Sequence, residues 1–150
     1  MNGSMESKFS QKPRVVFGVI GDDIHVVANR ILAIGLDAAG FMAINLGTHN
    51  TAEDFVEAAI ESEAHAVLVS SVNGEGETWC PNFRQRFIEK GMEHIILYVG
   101  GNLVVGERRK EDVINLFRSY GFDRVFYQQT DFETVFNLLK EDMTYGNSKY

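Results

Sequence analysis

Five short apolar runs, each followed by a stretch with helical spacing, constrain this chain more than any other feature. Val15–Ile20 is a short apolar run with β-branched residues, as expected of a strand buried on both faces. Gly21-Asp22-Asp23 breaks it. Val27, Ile31, Ile34 and Ala38 then recur at helical spacing within a helix expected over 24–39, with Gly40 placed as its C-terminal cap. Phe41–Leu46 is the second strand. Thr51, with Asp54 three residues on, predicts a capped helix start before Phe55, Ala58 and Ala59. Ala66–Val72 reads as a third strand and Thr78–Lys90 as a helix that carries Pro81 in its first turn. Ile95–Val99, a helix over Arg109–Tyr120, Arg124–Tyr127 and a helix over Phe132–Lys140 complete the series. Strands and helices that alternate in this way imply a parallel sheet with helices on both faces and right-handed crossovers. Five units suit a doubly wound, flavodoxin-like or Rossmann-like α/β sheet of order 2-1-3-4-5, since a closed barrel needs eight.

The 150 residues form one domain over 14–140. A polar lead-in, 1–13, is expected to be disordered, and 141–150 is expected to be a flexible tail. At 45% hydrophobic and 23% charged residues, the chain can bury a true core. With 14 basic and 21 acidic residues, the net charge of −7 argues against binding nucleic acid or a polybasic grip on membranes. No apolar run is long enough to span a bilayer, and no secretory signal is visible. The single cysteine, Cys80, rules out an intrachain disulfide and a multi-cysteine metal site. A cytoplasmic protein is expected.

In such sheets, ligands bind beyond the carboxyl ends of the strands. The loops there read Gly21-Asp22-Asp23-Ile24-His25, Gly47-Thr48-His49-Asn50, Ser70-Ser71-Val72-Asn73-Gly74-Glu75-Gly76 and Gly100-Gly101-Asn102-Leu103-Val104-Val105-Gly106. They hold seven of the 14 glycines, which permit unusual backbone angles and close approach of a ligand. Gly100-Gly101 before an apolar triplet suits the wall of a large, partly apolar ligand. In Asp23-Ile24-His25 the carboxylate can fix one ring nitrogen of the histidine and leave the other as a base or metal ligand. His49 lies on the same edge, whereas His65 and His94 precede strands and read as structural. Cys80 reads as structural too. A phosphoacceptor receiver would need an Asp where Ser70-Ser71 stand. A flavodoxin would need a Ser/Thr-rich phosphate loop in place of the acidic one, and no Gly-x-Gly-x-x-Gly follows the first strand.

Taken together, Asp23-Ile24-His25-Val26-Val27-Ala28, Ser70-Ser71-Val72 and Gly100-Gly101 resemble the signature of cobalamin-binding domains: Asp-x-His-x-x-Gly, Ser-x-Leu and Gly-Gly. Ala28 and Val72 depart from it. Further segments resemble the small (S, or sigma) subunits of glutamate mutase, also called methylaspartate mutase. Among them are Gly18-Val19-Ile20-Gly21, Asn29-Arg30-Ile31-Leu32, Val99-Gly100-Gly101-Asn102 and Gly121-Phe122-Asp123-Arg124-Val125. The resemblance covers Val15 to Leu139. It implies an isomerase subunit that binds adenosylcobalamin base-off/His-on. His25 would be the lower cobalt ligand and Asp23 its partner, with no other catalytic residue on this chain. Asp22, Ile24, Val26 and Ala28 would flank that ligand. Ser70, Ser71, Val72 and Gly74 would line the pocket for the dimethylbenzimidazole tail, with Gly100, Gly101, Asn102, Leu103, Val104, Val105 and Gly106 as its other wall. A large TIM-barrel E (epsilon) subunit would bind the amino acid, in a heterotetramer, and a cofactor-derived radical would convert L-glutamate to threo-3-methylaspartate. The alternatives are a corrinoid carrier for methyl transfer and a non-catalytic cobalamin-binding or regulatory module.

Overall fold

The computed structural model describes residues 12–21, 27–128 and 131–146. Five strands, β1 (Arg14–Val19), β2 (Met42–Asn45), β3 (Ala66–Ser71), β4 (Ile96–Gly101) and β5 (Arg124–Tyr127), form one parallel sheet of order β2-β1-β3-β4-β5. This is the doubly wound order expected from the alternation. Six helices connect and cover the strands: α1 (Val27–Ala38), α2 (Ala52–Ser62), α3 (Gly76–Trp79), α4 (Phe83–Ile88), α5 (Lys110–Ser119) and α6 (Phe132–Gly146). Of the helix expected over 24–39, residues 24–26 lie outside the described residues. Helix α2 starts as expected, with a reciprocal capping box. Thr51 Oγ1 accepts from the Asp54 N–H at 3.2 Å, and the Asp54 carboxylate accepts from the Thr51 N–H at 2.8 Å.

Three local expectations are corrected. The helix expected over 78–90 is two short helices, because Pro81 brings no N–H and Asn82 takes a left-handed backbone with φ 61°. The turn between them buries Cys80 and Phe83. Strand β4 runs two residues further than expected, so Gly100 and Gly101 pair within the sheet with Ser70 and Ser71. The last helix runs six residues past Lys140, because Met143 is buried against the sheet and extends its apolar stripe by one turn.

The pleat of the sheet divides the core in two. On one face Val16, Val67, Val69, Leu97 and Val99 meet α2, α4 and α5, whose inner residues include Phe55, Phe83, Phe87 and Phe117. On the other, Val15, Phe17, Leu68 and Tyr98 meet only α1, through Leu32 and Leu36, and α6, through Val135, Phe136, Leu139 and Met143. Helices α1 and α6 come closest at Gly35, where an added Cβ would stand 2.6 Å from the Phe136 ring.

Candidate functional site

Among the described residues, α1 and α6 are the helices that cover this face of the sheet. Beyond the Gly35–Phe136 contact, toward the carboxyl edge, α1 and α6 leave a cavity of about 480 Å³ over the ends of β3, β4 and β5. The sequence of these strands makes the room. Ser70, Gly100 and Phe126 lie level in the register. Nothing larger than a hydroxymethyl group therefore stands between β3 and the Phe126 ring. One step deeper, Leu68 and Tyr98 form the floor, while Leu32 and Val135 close the sides from the helices. Ser71, Val72, Gln128 and Asp131 border the cavity with polar and small groups. Gly101 has no freedom to carry a side chain. Its φ is +108°, and a Cβ would come within 2.2 Å of the Ser71 carbonyl oxygen.

Tyr98 is 1% exposed, and its ring packs 5.5 Å from that of Phe126. A buried phenol needs a hydrogen-bond partner. The Tyr98 hydroxyl donates to the Asp142 carboxylate of α6, which also accepts from Arg124 Nε at 2.7 Å and from a second guanidinium nitrogen at 2.9 Å. Burial, reinforced by the Asp142 carboxylate, raises the Tyr98 pKa, so its hydroxyl remains a donor across the working pH range. The hydrogen bond to Asp142 pushes the Arg124 pKa upward as well.

At the end of β1, the Gly21 N–H donates to the Asn50 carbonyl at 2.7 Å, and an added Cβ on Gly21 would touch the Trp79 indole. Buried Asn50 ties β1 to the loop after β2 through bonds to the Val19 and Gly47 carbonyl oxygens. His49 stands in that loop with φ 60°. His65 is at the opposite edge, where its Nδ1 accepts from the Arg14 N–H at 3.0 Å. Burial pushes the Cys80 thiol up to about 12, which removes it as a nucleophile at neutral pH.

Of the residues singled out in the sequence, Asp22, Asp23, Ile24, His25 and Val26 lie outside the described residues. Ala28 belongs to the first turn of α1. Ser70, Ser71, Val72, Gly100 and Gly101 line the cavity. Gly74 and Asn102 meet in a turn beside it, where the Gly74 N–H donates to the Asn102 carbonyl at 2.9 Å. Leu103 and Val104 are fully buried in the core of the other face, Val105 is 76% exposed, and Gly106 turns the chain with φ +79°. The cavity also draws on residues that loop reading passed over: Leu32, Leu68, Tyr98, Phe126, Gln128, Asp131, Phe132 and Val135. Carrying the carboxyl-edge rule on to β5 would have found Gln128 and Asp131. The helix residues carry no signal beyond their apolar spacing.

Cavities of roughly 300–1,000 Å³ with apolar depth and a few polar groups hold small ligands or cofactors. This one has Leu68, Tyr98 and Phe126 in its depth and Ser70, Gln128 and Asp131 at its border. Among the described residues no set of three or more His, Cys, Asp or Glu side chains could enclose a metal ion. No described helix is long and apolar enough to cross a membrane.

Residues 13–131 match the B12 binding domain family, so this doubly wound α/β domain belongs to that family. The cobalamin-binding protein of Desulfitobacterium hafniense shares the fold with a TM-score of 0.69 at 17% identity, over 87% of this chain and 58% of that one. Curated relatives are much nearer in sequence. The glutamate mutase sigma subunit of Carboxydothermus hydrogenoformans is 48% identical over 129 residues, 86% of this chain and 94% of that protein. That of Clostridium tetani is 47% identical over 133 residues, 89% and 97% of the two chains. This chain belongs to the glutamate mutase sigma subunit family.

Proposed function

We propose that this chain is the cobalamin-binding small subunit of a glutamate mutase and works as an isomerase only with a larger catalytic subunit. The observation that carries this reading is the cavity at the carboxyl edge, bordered by Ser70, Ser71 and Gly100, in a chain 48% identical to a sigma subunit over most of its length. The nucleotide tail of the corrinoid would be held in the cavity between α1 and α6, with Leu68, Tyr98 and Phe126 as its apolar contacts and Ser70 and Ser71 as its polar ones. By the resemblance, His25 would be the cobalt ligand, and Asp23 would be the partner that keeps the imidazole basic. In the adenosyl form, the cofactor supplies a cobalt–carbon bond whose homolysis starts the radical rearrangement of L-glutamate to threo-3-methylaspartate.

This chain's residues would bind the tail and hold the cofactor for the large subunit. The amino acid is bound by the large subunit, a TIM barrel, in a cytoplasmic heterotetramer. Absorbance during titration with adenosylcobalamin tests the reading. The wild-type chain should give the base-off/His-on spectrum, and His25→Ala should lose the His-on form. An unchanged spectrum in that variant removes His25 from cobalt. Absence of binding at micromolar cobalamin, with and without the large subunit, overturns the whole reading.

A further inference from the structure

Asp142 is not among the residues that line the cavity, yet it joins three parts of the cavity's frame. It sits ten residues beyond Phe132 on α6 and accepts from Tyr98 in the floor and from Arg124 on β5. Between these two points on the helix lies Phe136, whose ring rests on the bare backbone of Gly35 in α1. An α-helix is stiff over 15 residues. Helix α6 is therefore a lever, with its pivot at Gly35–Phe136. One arm carries Phe132 and Val135, which wall the cavity, and the other packs Leu139 and Met143 into the core and carries Asp142, whose charged bonds fix its direction.

The same bond settles which part of Tyr98 the cavity meets. With its hydroxyl held by Asp142, the ring is fixed as an apolar floor beside Phe126. The pin is built from charge-assisted bonds, one of them a two-point Arg–carboxylate contact that fixes direction as well as distance.

We propose that Asp142, together with Arg124, is a positioning residue for the nucleotide tail: it sets the width of the cavity through α6 and the orientation of its floor through Tyr98. This rests on the assignment of the tail to the cavity. Removal of the carboxylate lets α6 rock about Gly35 and frees the Tyr98 hydroxyl to seek a partner inside the cavity.

Cobinamide, a corrinoid without the nucleotide tail, separates positioning from general structural support. The full-length chain is titrated with cobalamin, referred to its base-off form, and with cobinamide, for the wild type, Asp142→Ala and Asp142→Asn. Thermal unfolding is followed in parallel. The wild type is expected to prefer cobalamin. Asp142→Ala should cut that preference about fivefold or more and change cobinamide affinity less than about twofold, while Asp142→Asn, which keeps an acceptor, should recover part of the loss.

An unchanged preference in a folded Asp142→Ala chain overturns the proposal, as does an equal loss for both corrinoids. If Asp142→Ala fails to fold, Asp142→Asn is judged by the same ratio, and an unchanged ratio there overturns the proposal. A wild-type chain that binds both corrinoids equally shows that the tail is not in the cavity, which overturns the proposal and leaves cobalamin binding standing. If neither corrinoid binds, the functional reading falls, and the proposal with it.

Discussion

The two faces of the sheet are made from similar residues and do different work. On the face covered by α2, α4 and α5, aromatic rings pack against one another. Phe83 alone lies 4.8 Å from Phe122, 5.4 Å from Phe87 and 6.0 Å from Phe55. On the face covered by α1 and α6, apolar side chains of comparable size leave about 480 Å³ unfilled. Part of the difference lies at the ends of β3 and β4, where Ser70 and Gly100 put little or no side chain over the sheet. Packing density gives the first face stability, and an incomplete roof gives the second a place for a ligand.

Deletion of bulk tests this contrast most strongly. Phe83→Ala should cost about 3–5 kcal/mol, whereas Leu68→Ala should cost about 2 kcal/mol, since the Leu68 side chain already borders a void. Equal losses in denaturant unfolding would break the distinction. Addition of bulk should separate the faces by sign. Ala59→Leu, at a fully buried position of α2, should destabilise by about 1–3 kcal/mol. Ser70→Leu, at the cavity, should stabilise by roughly 0.5 kcal/mol and weaken cobalamin binding at least about tenfold, as read by unfolding and by spectral titration. A destabilised Ser70→Leu chain would show that the cavity is not available space.

The smallest expected effect belongs to neither face. His65 sits at the amino edge, where burial, with the nearby Arg14 charge as a second cause, lowers its pKa from the ordinary 6.5. The unfolded chain therefore takes up this proton first as pH falls. The contribution is complete above about pH 6.5 and is lost progressively below it. Unfolding midpoints should drop less between about pH 7.5 and 5.5 in His65→Gln than in the wild type, and cobalamin affinity should not follow the difference.

The alternation of strands and helices was legible because buried parallel strands and amphipathic helices have different periods. The capping box at Thr51 and Asp54 was legible because it is a contact over three residues. The break at Cys80–Asn82 was not, since Pro81 fits a first helical turn as well as it fits a turn between helices. The extension of α6 to Gly146 depended on Met143 finding the sheet, a tertiary event. Ser70, Ser71, Val72, Gly100 and Gly101 were found at the cavity by the carboxyl-edge rule and the resemblance. Leu103 and Val104 were read as part of its wall because an apolar pair after two glycines looks the same whether it faces a ligand or the opposite core. Tyr98, Phe126 and Val135 carry only the apolar signal of any strand or helix residue. Nothing local says that the roof above them is open.

Helix α6 is also the last element of the sheet's cover to be synthesised. When β4 is complete at Gly101, about 45 residues remain before Gly146, which takes roughly 2–9 seconds at ordinary translation rates of 5–20 residues per second. Throughout that interval Leu68 and Tyr98 lack half of their cover, while every helix of the other face except α5 has already been made. A nascent chain paused between α5 and α6 would therefore present an apolar surface to chaperones on one side of the sheet.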